Sequence, residues 1–218
     1  MRSVTLTPGW NQVGSPYLFP VPVTELINSN PGGIIEPVVW EWTGNGYVQV
    51  TELRPWRGYW VQNLSAVSIN MVMPIVDADL TPKPATRPAA SQAGWRLQLT
   101  ATAGAQQDAA NYIGVSPQAD DAWDPRDISE PPTIGEGALT LAFTNEERGV
   151  RPGNYAIDMR SMNSDGNQWT FTVMSDQPSV PVTVMVDDLD RLPSDTDVYM
   201  IDLDRQKQQD MRANPSYT

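Results

Sequence analysis

Two groups of side chains in this sequence could do chemistry. The first lies in DAANYIGVSPQADDAWDPRDISEPP, Asp108 to Pro132, which carries six carboxylates. Its donors Asp108, Asn111, Asp120, Asp121, Asp124 and Asp127 suit calcium, which takes about six to eight oxygens from carboxylates and backbone carbonyls together. Their spacing matches neither an EF-hand nor a glycine-rich calcium repeat. The other reading is a hydrogen-bonded loop. Short acidic side chains cap turns by accepting backbone N–H groups, and Ile113, Val115, Trp123 and Ile128 would pin the loop to a sheet. That loop is the expected outcome, with calcium as the one cofactor the sequence offers donors for. A glycosidase needs two acids facing each other across a cleft, one of them with its pKa raised by burial. Nothing in the spacing marks such a pair.

The second group is aromatic. Trp10, Tyr17, Trp40, Trp42, Trp56, Tyr59 and Trp60 crowd the first third of the chain. Flat rings stack on sugars, so Trp40, Trp42, Trp56, Tyr59 and Trp60 are candidate contacts for a polysaccharide or a protein partner. Bulky rings also compensate for a thin core in a small domain, and core or interdomain packing is the reading the composition favours. On strands, Trp40 and Trp42 share one face, while Tyr59 and Val61 lie opposite Trp60.

Composition narrows the chemistry further. The chain has no cysteine and no histidine. Disulfides, thiolate metal sites and Ser-His or Cys-His nucleophile pairs are therefore excluded, which points away from an enzyme. A net charge of −12 repels phosphate backbones and anionic lipid, so nucleic acid is not an expected partner. No apolar run is long enough for a membrane span, and MRSVTLTPGW lacks a signal-peptide core. The ending NPSYT reads as a strand beginning, so the chain is expected to be a mature or excised part of something larger.

The elements that must position these residues are strands. Fifteen glycines and 20 prolines among 218 residues interrupt helices before three turns can form. Residues 1–76 hold five of the eight tryptophans and predict five or six short strands, including a hairpin from VVWEW to GYVQV with Asn45-Gly46 in its turn. PVTELINSN offers a single helical turn. Residues 77–93, DADLTPKPATRPAASQA, are rich in Pro and Ala and predict a linker. Residues 94–218 alternate with period two: Trp95, Leu97 and Leu99; Leu139, Leu141 and Phe143; Tyr155, Ile157 and Met159; Trp169, Phe171 and Val173; Val180 to Val186; and DVYMIDL. The predicted fold is all-β: a small aromatic-rich β domain followed by an antiparallel β-sandwich, immunoglobulin-like or jelly-roll-like. Asp158 and Arg160 are expected on its outward face as an exposed ion pair, and the tail LDRQKQQDMRANPS as a turn or contact strip.

GWRLQLTA, the acidic stretch, YAIDMRS, QWTFTV and VTVMVDDLDRLPSDTDVYMIDLD together resemble a β-sandwich module found near the C-terminus of large secreted bacterial surface proteins, an architecture like that of type IX secretion. GWNQVGSPYLFPV and RPWRGYWVQN look like the aromatic-rich module that precedes it. The resemblance covers most of the chain. It implies export, a place on the cell surface or in an extracellular filament-like assembly, neighbouring domains or subunits as partners, and no enzymatic activity.

Overall fold

The computed structural model describes residues 2–80, 94–134, 138–144, 151–162 and 166–218. The chain divides into two compact units, Met1–Ala89 and Ala90–Thr218. Of the predicted linker, residues 81–93 lie outside the described residues. The protein is all-β apart from one six-residue helix and a single 3-10 turn among the described residues. No described helix is long and apolar enough to cross a membrane.

The first unit contains β1 (Arg2–Leu6), β2 (Gly9–Gly14), β3 (Val21–Pro22), helix α1 (Val23–Asn28), β4 (Val39–Trp42), β5 (Tyr47–Val50), β6 (Glu52–Leu53), β7 (Gly58–Asn63) and β8 (Ile69–Met73). β2, β7, β4 and β5 form a four-stranded antiparallel sheet in that order. β1 pairs with β8, and β3 with β6. The predicted hairpin joins β4 to β5, where Thr43 donates its N–H and Oγ1 to the Gly46 carbonyl at 3.0 and 2.8 Å. The left-handed residue in that turn is Gly44 (φ 104°). One core forms on one face of the sheet, from Val13, Val39, Tyr59 and Val61 with Leu6, Leu26, Leu53, Met71 and Met73. α1 contributes Val23 and Leu26 to it.

The second unit contains β9 (Trp95–Ala103), β10 (Gln106–Val115), β11 (Ile128–Ser129), β12 (Leu139–Thr144), β13 (Asn154–Arg160), β14 (Phe171–Ser175), β15 (Thr183–Asp187), β16 (Tyr199–Asp202), β17 (Lys207–Asp210) and β18 (Ser216–Tyr217). Eight of these strands make one curled sheet, ordered β14-β12-β13-β10-β9-β15-β18 with β11 on β13. β16 and β17 form a separate hairpin. Leu97, Leu99 and Ala101 from β9 pack with Leu141 and Phe143 from β12 and Val184 and Val186 from β15, as alternation predicts.

The sheet is not wholly antiparallel. β10 and β13 run parallel, Tyr112 beside Ile157 through Val115 beside Arg160. A parallel pair requires a long crossover, and residues 116–153 supply it. A strand has two edges. Ile157 pairs with both Tyr112 and Ile128, and Tyr155 with both Ser129 and Phe143. β11 therefore takes one edge of β13, and β10 and β12 share the other. At this fork the sheet curls on itself. Tyr155, Ala156, Ile157 and Asp158 are all buried there, although alternation predicts every second one outside. Asp158 and Arg160 are consequently not an exposed pair. Asp158 is 3% exposed, Arg160 lies 3.3 Å from it, and the guanidinium stacks over Trp169 at 5.1 Å.

Candidate functional site

The four-stranded sheet has two faces of different chemistry. The face away from the core holds the even-numbered residues of β2, β4 and β7 and the odd-numbered ones of β5. One row across the sheet reads Gln12, Trp60, Trp40, Gln49, each beside the next. A second row pairs Trp10 with Gln62. A third pairs Gly14 with Gly58 on one side and Trp42 with Tyr47 on the other. Neighbours within a row are about 4.8 Å apart and rows about 6.7 Å apart. Tyr47 meets Trp42 edge-on, centroids 5.1 Å apart, and Trp40 at 6.4 Å. Trp10, Trp42, Tyr47 and Trp60 are half-buried, while Gln12 and Gln49 are exposed. Trp40, at the centre, is fully buried, and its indole Nε1 has no hydrogen-bond partner among the described residues; nor has Gln62 Oε1. The face is amphiphilic, with flat apolar rings alternating with amides that both donate and accept.

The five aromatic residues singled out by sequence divide three ways. Trp40, Trp42 and Trp60 share this face. Tyr59 is on the other side, fully buried, with its hydroxyl accepting from the Arg54 N–H at 2.6 Å and its pKa raised by burial. Trp56 sits in the turn before β7, 89% exposed and left-handed (φ 63°). Sequence reasoning missed Tyr47 and the glutamines and left Trp10 out of the contact set. Their signal is a repeated aromatic-x-Gln: WNQ at 10–12, YVQ at 47–49 and WVQ at 60–62. Antiparallel pairing then sets Trp10 and Trp60 opposite the partner strand's glutamines.

The acidic stretch is not one loop. Asp108 and Asn111 belong to β10, where they pair opposite Ala101 and Leu99 of β9 with an irregularity between the two pairs. One extra residue on the β10 side brings both polar side chains to the face of Leu99 and Ala101. There Asp108 plugs the fork. β12 pairs with β13 only at Phe143 and Thr144, and the amide of Leu141 donates instead to Asp108 Oδ2 at 2.7 Å. Burial pushes the Asp108 carboxyl up, opposed by the Leu141 amide and the Asn111 side chain. Glu130, just after β11, is pushed well above the usual carboxyl range by burial and then by Asp108's charge.

The remaining four carboxylates organise the crossover after β10. Asp120 accepts from Ala122 N–H at 3.0 Å, and Asp124 accepts from Asp120 and Arg126 N–H at 2.8 and 2.6 Å. Asp121 accepts from the N–H and Oγ of Ser161, at 3.1 and 2.7 Å, tying the loop to the end of β13. Asp127 bridges Asp124 N–H and Met159 N–H at 3.0 and 2.9 Å. Its pKa rises to about 6, mainly from burial and further from the charges of Asp158 and Asp124. Trp123 packs on the core with Arg151 stacked at 4.1 Å. The six predicted calcium donors are thus split between a strand and a turn. Among the described residues, no group of three or more acidic side chains is placed to hold a metal ion.

No family of known proteins matches the chain, and no curated protein or solved structure matches it.

Proposed function

We propose that this chain is a non-catalytic contact module, structural and adhesive, from an extracellular bacterial surface or filament-like assembly. The setting rests on the resemblance of GWRLQLTA, YAIDMRS and VTVMVDDLDRLPSDTDVYMIDLD to surface-protein modules. The observation that carries the contact role is the face of Trp10, Trp40, Trp42, Tyr47 and Trp60 set among Gln12, Gln49 and Gln62. A sheet face that only needed to meet water would carry charges. One that only needed a core would not carry three amides. The acidic crossover has a structural job on this reading, because its carboxylates accept the backbone amides of their own turns.

A second contact surface is available at the edge of the larger sheet. Among the described residues β14 ends the strand order and exposes Met174, so its outer edge is where a neighbouring subunit would add a strand. Light scattering of the purified chain and electron microscopy of the native material test the proposal. The expected result is incorporation into larger assemblies with no turnover of any polymer. A free 24.1 kDa monomer that degrades a polysaccharide would overturn it.

A polysaccharide is favoured as the partner by one further feature of the same face, its lane of glycine.

A further inference from the structure

In the row that holds Trp42 and Tyr47, the other two strands carry no side chains. Gly14 pairs with Gly58, and the antiparallel register from the Trp40–Trp60 pair sets Gly58 beside Trp42. Neither glycine has a positive φ, so backbone conformation does not require glycine at either position. Space does not require it: an added Cβ would meet nothing closer than 3.5 Å at Gly14 and 3.6 Å at Gly58. Both positions are exposed. Gly14 is the last residue of β2 and Gly58 the first of β7, and side by side they leave the backbone open to close approach from the solvent side.

The pair leaves a strip of bare backbone with definite walls. Trp42, backed by Tyr47 at 5.1 Å, closes one end of the row. Gln12 and Trp60 stand one row along, and the Gln12 amide nitrogen is the atom closest to where a Gly58 Cβ would be. We propose that this trough is a subsite for one pyranose ring of a neutral, equatorially linked polysaccharide. Such a ring presents axial C–H groups to an indole and equatorial hydroxyls to its rim. Trp42 and Trp60 supply the flat walls, and Gln12 supplies a donor and an acceptor at the rim. Charge selects the ligand class. The three rows hold no ionisable side chain other than the Tyr47 phenol, and the chain carries −12, so a polyanion meets net repulsion and no cation in these rows.

The inference deepens the contact role proposed above and rests on it. Affinity electrophoresis of the full chain in gels containing hydroxyethylcellulose or galactomannan, with alginate as the polyanion, tests it. Retardation by at least one neutral gel and not by alginate is expected. Gly58→Val fills the trough with a strand-favouring side chain whose Cβ meets nothing closer than 3.6 Å, so it should weaken that retardation about tenfold or more in a chain that still folds. Trp42→Ala should weaken it similarly, and Gly14→Val on the edge strand serves if Gly58→Val fails to fold. No retardation of the unaltered chain in either neutral gel overturns the proposal. So does retardation that survives in a folded glycine-to-valine variant, or retardation by alginate alone. If sugar binding is absent but light scattering shows self-association that Gly58→Val abolishes, the trough is a protein contact. The sugar assignment then falls while the contact role stands.

Discussion

Asp127 ties the crossover to β13, and its buried carboxyl makes a pH-dependent prediction. Its pKa is raised from 3.8 to about 6, chiefly by burial, then by Asp158 and Asp124. A carboxyl whose folded pKa lies above its unfolded value binds its proton more tightly when folded. Its contribution to stability is therefore fully present below pH 3.8 and is lost as pH rises through about 6. At about 1.4 kcal/mol per pH unit, that interval corresponds to about 3 kcal/mol. The second unit should lose stability of that order between pH 4 and pH 7.5. Asp108 and Glu130, both raised, act in the same direction. So does the growing net negative charge. Asp127→Asn separates these effects because it leaves all of them in place. Its amide cannot titrate. Its oxygen can still accept from Met159 or from Asp124, but its NH2 leaves the other amide unmatched, at a cost of about 1–3 kcal/mol. The variant should therefore be less stable than the unaltered chain at pH 4.5, with the gap narrowing or closing by pH 7.5. Urea unfolding followed by NMR on the amides of β9, across that range, reads this unit alone. Two parallel pH curves would mean instead that the Asp127 carboxyl is solvated in the folded state.

Three further outcomes follow from the same structure. Gly114→Ala should destabilise the second unit by about 1–3 kcal/mol, because a Cβ there would lie 2.3 Å from the Trp95 carbonyl oxygen and 3.1 Å from Arg96 Cα; an unchanged urea midpoint would contradict the β9–β10 register. Trp40→Ala should cost about 3–5 kcal/mol in the first unit, since Trp40 is fully buried, whereas Trp56→Ala should stay within about 0.5 kcal/mol because that side chain is 89% exposed. Excess EDTA should leave Tm where it is. Asp120, Asp124 and Asp127 are each engaged with backbone amides, and a Tm that falls in EDTA and recovers with calcium would show that the crossover holds an ion.

Much of the fold was legible in the sequence because it rests on local alternation. Leu97 and Leu99, Leu141 and Phe143, and Val184 and Val186 point inward as their period-two spacing requires. Tyr59 and Trp60 fall on opposite faces, and Trp40 and Trp42 on the same one, for the same reason. What alternation cannot reveal is which strand lies beside which. The parallel pairing of β10 with β13, and the fork where β10 and β12 share one edge, arise from contacts far apart in sequence. That fork buries Asp158 and gives Asp108 an amide to accept. The extra residue between Asp108 and Asn111 likewise breaks the alternation, so a segment that pairs with β9 as strand reads as loop. In the first unit, the aromatic residues were visible one by one. The row Gln12, Trp60, Trp40, Gln49 exists only once four strands take their register. The Gly14–Gly58 lane was invisible for the same reason, since a lone glycine in a strand reads as a defect until its neighbour across the ladder is known.

On the proposed reading this molecule holds a partner on its aromatic and amide face and does not transform it. Incubating the full chain with hydroxyethylcellulose and galactomannan, and reading bound protein and newly released reducing ends in the same tube, separates holding from turnover. Bound protein, intact polymer, and loss of binding in Trp42→Ala and Gly58→Val are expected. Reducing ends that accumulate with time, or binding indifferent to both substitutions, would contradict that reading.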